Sequence, residues 1–292
     1  MKKSIVYLHR DENLNLIQQL NPEQDHCQIY HLMLGYEFPW DVTRALEVAL
    51  MKTYCIPSIS KLLDKTGEFH KRPQKRYDDT AIIVVEMSKW GYDSERGSQA
   101  LQRMNAIHGR FKIANEDFLY VLSTFIYEPI RWNQRFGWRL MCEQEKLATF
   151  YFWREVGKRM NISNIPETFA EFERFNAEYE QVNFTYSDTN RRIGEATRDL
   201  FLSWYPWWTH FLLKQGISAL LDYRMLDAFG FEHPHPLLRN VVGNSLKIRS
   251  KLLNFLPPTK QSKFYIDSPI RSYPDGYEID DVGASSEGKI NS

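Results

Sequence analysis

Helical periodicity constrains this chain more than any other feature. Apolar residues recur at intervals of three and four along most of its length, in runs opened and closed by residues suited to helix ends. Strand-like alternation is scarce, so the pattern implies an all-α protein. Asn115, followed by Glu116 and Asp117, reads as a helix start, because a side-chain acceptor and two negative charges suit the free N–H groups there. Phe118, Val121, Leu122 and Phe125 then share one face, and Pro129, which has no N–H to donate, is expected to end the helix.

The same logic makes Asp41 the cap of a helix reaching about Tyr54, opens a short helix at Pro57 and closes it at Gly67. "GEFHKRPQK" reads as a loop. The next helix carries Thr80, Ile83, Val84 and Met87 on one face and stops at Gly91; Ser94 caps another that reaches His108 and Gly109. Their short link makes the two antiparallel neighbours. Further helices are expected over 143–160, 167–182, 188–204, 208–228 and 237–255, punctuated by Pro166, Pro206, Pro234 and Pro236.

With 43% hydrophobic and 25% charged residues, 292 residues can bury one substantial core, so a single helical domain is expected over 21–282. Residues 1–20 read as an N-terminal extension. The chain turns polar after Pro257 and Pro258, reading as an arm wrapped on the body, with a disordered tail over 283–292. Thirty-seven basic residues balance thirty-seven acidic ones, which argues against a nucleic-acid partner.

Cys27, Cys55 and Cys142 form no CxxC pair, which points to a reducing compartment, and the N-terminus lacks the apolar core of an export signal. A cytoplasmic placement follows. Leu200 to Leu221, the most apolar stretch, is interrupted by Pro206, His210, Lys214 and Gln215, so no transmembrane helix is expected. Trp204, Tyr205, Trp207 and Trp208 are read as packing between two helices, with association at a membrane surface as the alternative.

HExxH, GxSxG, GxxxxGK[ST] and GxGxxG are absent, removing the usual short signatures of zinc proteases, serine hydrolases and nucleotide binders. Glu23 with His26 and Glu232 with His235 have ExxH spacing, but both pairs sit beside prolines in polar stretches and are read as surface residues.

Ala100, Met104 and His108 stack at intervals of four on a helix, flanked by Leu101 and Ile107, so the imidazole emerges from an apolar face. It is either a core histidine satisfied by a backbone carbonyl or a ligand. Gly109, without a side chain, leaves room for a flat macrocycle, and a neutral imidazole is a good ligand for haem iron. Aromatic residues, 14% of the chain, suit either a ring-rich core or one enclosing a large apolar ligand.

Arg76 and Thr80 lie one turn apart with Asp79 beside them, next to Ile83, Val84 and Met87. In one reading Asp78 and Asp79 favour the helix N-terminus and Arg76 pairs with them. In the other, Arg76 and Thr80 are donors over dioxygen or a haem propionate, with Asp79 as ligand, orienter or proton acceptor.

In order along the chain, "GYEFPWDVTRALE", "TGEF", "RPQKRYDDT", "NAIHG", "NEDFLYVLSTFIYEPIRW", "FWREVGKRMNI" and "YPDGYEIDD" resemble the haem-dependent MpaB-type oxygenase family, which includes the latex clearing proteins, or rubber oxygenases. The resemblance covers roughly residues 20 to 280. It implies a globin-like helical core around haem b, His108 as the proximal iron ligand, and Arg76 and Thr80 as distal polar residues. Latex clearing members carry an RxxKT arrangement there; Asp79 stands where their Lys would be, which puts the sixth iron ligand and rubber cleavage itself in question. The implied activity is activation of dioxygen to cleave or oxygenate a C=C bond in an apolar substrate, with isoprenoids one candidate class. A haem-binding sensor or carrier and a haem-free helical scaffold are the alternatives.

Overall fold

The computed structural model describes residues 11–257 and 259–283. Fourteen α-helices and no strand occur among them: α1 Glu12–Gln19, α2 His26–Leu32, α3 Pro39–Thr53, α4 Pro57–Thr66, α5 Glu68–Lys71, α6 Pro73–Trp90, α7 Glu95–His108, α8 Asn115–Phe136, α9 Glu143–Arg159, α10 Phe169–Asn183, α11 Asp188–Ser203, α12 His210–Leu220, α13 Tyr223–Phe229 and α14 Pro236–Leu253. They form one all-α domain.

α8 is the central rod. α3, α9, α10 and α14 pack around it, and Leu122, Phe125, Ile126, Tyr127 and Trp132 along it are buried. It runs straight through Pro129, contrary to the expected stop. One lost hydrogen bond, at the Phe125 carbonyl, is outweighed by burial of Trp132 and Phe136 in the turns beyond. Asp41 is likewise not a cap. α3 starts at Pro39, and the Asp41 carboxylate is buried in the first turn, accepting from Trp132 Nε1 at 3.2 Å and Arg249 Nη1 at 3.0 Å, which ties α3 to α8 and α14.

The run expected over 208–228 divides in two, because Asp222 accepts from the Met225 N–H at 2.9 Å and starts α13 afresh. Within the expected loop "GEFHKRPQK", Glu68–Lys71 forms the short helix α5. Residues 11–20 are packed on the body, with Ile17 of α1 buried against Ile29 and Ala148. The first ten residues and the tail from 284 onward lie outside the described residues.

α6 and α7 carry the candidate site and pack together through the short Gly91–Ser94 link. Gly91 takes a left-sided φ of 82°, and Ser94 caps α7 by accepting from the Gly97 N–H at 3.0 Å. A Cβ on Gly97 would stand 2.0 Å from the Gly91 oxygen, so the tight join requires glycine there.

Residues 259–283 do wrap the body. Phe264, Ile270, Ile279 and Val282 enter the main core, and three phenols along the arm donate to acids of α6: Tyr265 to Asp78 at 2.6 Å, Tyr273 to Asp79 at 2.5 Å and Tyr277 to Glu86 at 2.6 Å.

Two readings of burial are overturned. His26 is buried, its ring nitrogens bonded to the Glu23 carbonyl and the Tyr92 hydroxyl. In the Trp204–Trp208 cluster only Trp204 packs inward, donating to Gln74 Oε1 at 2.7 Å; Tyr205, Trp207 and Trp208 are exposed.

Candidate active site

Helical spacing sorts the α6 side chains into distinct sets. Pro73, Arg76, Tyr77 and Thr80 turn towards α3 and α11, where they line a small cavity of about 30 Å³. Glu47, Leu50 and Tyr54 of α3 form the facing wall, and Thr197, Leu200 and Phe201 of α11 a third side. Arg76 donates from Nη1 to Thr80 Oγ1, and its guanidinium lies over the Phe69 ring, 5.4 Å from the centroid. The Thr80 hydroxyl in turn donates to the Arg76 carbonyl at 3.0 Å.

Asp78 and Asp79 belong to the arm-facing side. Asp78 accepts from Gln74, Tyr265 and the Ser272 N–H; Asp79 accepts from Lys75 Nζ at 2.9 and 3.0 Å and from Tyr273. Neither pairs with Arg76. Lys75, one turn back from Asp79, is the cation that the ion-pair reading had assigned to Arg76. The structure therefore brings Arg76 and Thr80 together at the cavity and turns Asp79 to Lys75 and the arm.

His108 closes α7. Its ring stands edge-on to Phe118 at 5.4 Å, and although part of the residue meets solvent, Nδ1 is sealed and has no hydrogen-bond partner among the described residues. Desolvation, and then the nearby Arg76 charge, push its pKa down to about 4, so the imidazole is neutral at ordinary pH. The carbonyl partner expected of a core histidine is missing at that nitrogen. His108 does not line the cavity, but Arg76 couples the two: its charge acts both on His108 and on Tyr54 in the cavity wall.

Glu47 and Tyr77 were not singled out from the sequence. The Tyr77 hydroxyl donates to Glu47 Oε1 at 2.7 Å, and burial raises the Glu47 pKa against the opposing charge of Arg44. One signal was available. Glu47, Leu50 and Tyr54 fall at intervals of three and four, which puts a carboxyl on an apolar face of α3.

No group of three or more His, Cys, Asp or Glu gathers as a metal site among the described residues. His108 by itself offers one imidazole, which suits an ion that brings its own equatorial ligands, as haem iron does. The donor chemistry thus fits haem at His108. The cavity beside Arg76 and Thr80 is too small as it stands to hold a porphyrin, and His108 lies outside its lining.

A model of the family described as ER-bound oxygenase mpaB/B'/Rubber oxygenase, catalytic domain, matches residues 42–244, which include Arg76, Thr80 and His108. The chain is 30% identical over 293 residues to the ER-bound oxygenase mpaB' of Penicillium brevicompactum, covering 94% of this chain and 68% of that protein. It is 30% identical over 283 residues to the ER-bound oxygenase mpaB of the same species, covering 94% and 67%. The corresponding mpaB of Penicillium roqueforti (strain FM164) is 30% identical over 224 residues, covering 70% and 75%. A match across most of the helical body, with relatives aligned along nearly the whole chain, means that the chain belongs to the mpaB/B' and rubber oxygenase catalytic-domain family.

Proposed function

We propose that the protein is a haem b-dependent oxygenase that uses dioxygen to cleave or oxygenate a C=C bond in an apolar substrate, isoprenoids being the first class to test. The observation that carries this reading is the sealed, unpartnered Nδ1 of a neutral His108 beside Arg76. An orphaned buried nitrogen is costly unless a ligand completes it. Oxygenase activity itself is supported by relatives that bear that name.

When bound, haem supplies the redox chemistry that activates dioxygen. His108 would hold it through the neutral imidazole. Arg76 offers N–H donors and Thr80 a hydroxyl to an oxygen that gains negative charge. Glu47, whose pKa burial raises and whose carboxyl Tyr77 fixes, is the proton carrier on the facing wall. Leu50, Phe69, Leu200 and Phe201 keep water out and favour an apolar chain. Cleavage that places both atoms of dioxygen in two carbonyl products balances without a reductant, whereas insertion of one atom needs two electrons and two protons from a donor.

We also place the protein at a membrane surface. The relatives are named ER-bound, and among the described residues no helix is long and apolar enough to cross a membrane.

Titration with hemin followed at the Soret band, then oxygen uptake with an isoprenoid polyene, tests the catalytic reading. Stoichiometric haem and substrate-dependent uptake are expected. Haem without uptake with any apolar alkene leaves a sensor or carrier, and the absence of any Soret band leaves a haem-free scaffold.

A further inference from the structure

An exposed apolar surface spans the neighbouring helices α12 and α14. Trp207 is 82% exposed, Trp208 69% and Phe211 74%, and Leu212 beside them is exposed too. On α14, Leu237, Val241, Ile248 and Leu252 form a single exposed stripe, continued by Phe255 and Leu256. Scattered exposed apolar residues are ordinary, but a continuous set marks a contact surface.

The two segments that build this surface carry no acid. No Asp or Glu occurs between Asp199 and Asp222, or between Glu232 and Asp267, and the second stretch carries Arg239, Lys247, Arg249, Lys251, Lys260 and Lys263. A chain with no net charge has thus kept acids off the two segments that build its apolar surface.

Beside the stripe, a recess of about 340 Å³ opens between the end of α8 and α14, with Arg135, Arg239, Asn240, Asn244 and Lys247 in its lining. None of its three cations makes an ion pair among the described residues. Arg239 Nη1 is buried without a hydrogen-bond partner. Arg135 and Arg239 line it together, and Arg135 is held below its usual pKa by desolvation and then by the charge of Arg239, against the opposing charges of Glu128 and Asp222. On α14, Asn240, Asn244, Lys247 and Lys251 flank the apolar stripe, which sets the recess and the stripe on adjoining faces of one helix.

We propose that this face docks on a membrane, with the phosphate of an anionic phospholipid held between Arg135 and Arg239 and with Trp207, Trp208, Phe211 and the α14 stripe at the headgroup–acyl boundary. The inference deepens the membrane placement proposed above and is independent of haem. A second copy packed face to face would bring like charges together, whereas an anionic lipid surface neutralises them. Tryptophan suits that boundary, with an apolar body and one polar N–H. Docking also bears on substrate: Leu200 and Phe201 of the cavity wall lead directly into the Trp204–Trp208 turn, so the apolar side of the cavity adjoins the lipid that would store an isoprenoid.

Flotation of the full chain, without haem, with phosphatidylcholine vesicles containing or lacking phosphatidylserine reads the proposal. Wild type should float with the anionic vesicles and much less with the neutral ones. Joint Arg135→Gln and Arg239→Gln should weaken anionic binding about thirtyfold, since a basic residue near such a surface contributes about fivefold. Joint Trp207→Ser and Trp208→Ser should abolish flotation while circular dichroism stays unchanged. Wild type that stays unbound with anionic vesicles overturns the proposal, as does wild-type affinity in the arginine variant. Sedimentation as a dimer that the tryptophan variant dissolves would also overturn it, by assigning the face to a second copy. Failure of haem binding alters none of these readings.

Discussion

Tyr273 meets Asp79 from 194 positions further along the chain, its hydroxyl donating at 2.5 Å, and Lys75 Nζ contacts both groups. Burial and the Asp79 charge push the Tyr273 phenol far above its usual pKa, so it stays a donor. Lys75 also reaches the Gly283 carbonyl at 3.0 Å. These bonds pin the arm to a side of α6 next to the one that carries Arg76 and Thr80.

Tyr273→Phe should lower stability by about 1 to 2 kcal/mol, the usual loss for a hydrogen bond to a charged group at a partly open site. Urea unfolding measures it. Proteolysis within 259–283 should speed up in the same variant, and an unchanged midpoint with unchanged cleavage would mean that the bond contributes nothing to holding the arm.

His108→Gly should abolish haem binding, and added imidazole should restore a Soret band by filling the space of the lost side chain. Retention of the wild-type spectrum without imidazole would rule His108 out as the ligand.

Arg76→Leu should leave the fold intact, because the guanidinium bonds only within its own turn and over Phe69. Oxygen uptake should fall by about a hundredfold, the scale of losing one donor to developing charge. In the haem-free protein the His108 pKa should rise from about 4 yet stay below 6.5, since burial, the larger cause, remains. NMR titration of the ring protons reads this; a pKa that does not move would show that the two residues are not coupled.

Acidification should destabilise the haem-free protein through His108. Its folded-state pKa is depressed from 6.5 to about 4, so between those values the unfolded chain binds a proton that the folded chain refuses. The contribution is fully present above about pH 6.5 and is lost as pH falls towards 4. The stability difference between wild type and His108→Leu should be flat above that window and change within it, as read by urea midpoints across a pH series.

Local chemistry made much of the helical framework legible. Ser94 caps α7, Gly67 and Gly91 close their helices, and Arg76 and Thr80 share a face because four residues make nearly one turn. What escaped depends on distant partners. Pro129 looks like a stop until the burial of Trp132 and Phe136 is seen, and Asp41 looks like a cap until Trp132 and Arg249 arrive. The Asp79 partner Tyr273 lies 194 positions away and has no local signal. The cavity draws on α3, α6 and α11, so Glu47 and Tyr77 could be joined only in three dimensions. Trp207 and Trp208 were expected to be buried because rings usually are, and their exposure shows what no periodicity encodes: which face of the finished body was left uncovered.

The arm sets an order of events in synthesis. Asp78, Asp79 and Glu86 are buried on α6, and each takes a phenol from a segment made after all fourteen helices. While the chain is still being extended, those carboxylates have only Gln74, Lys75 and Arg96 of α6 and α7 as partners, and that side of α6 stays open to water. Helices α3 and α8 can pack as soon as both exist, but the α6 framework that carries Arg76 and Thr80 is completed only by the last tyrosines. A ribosome halted before residue 265 would therefore hold a nearly complete helical body whose site helix is still unsealed on one side.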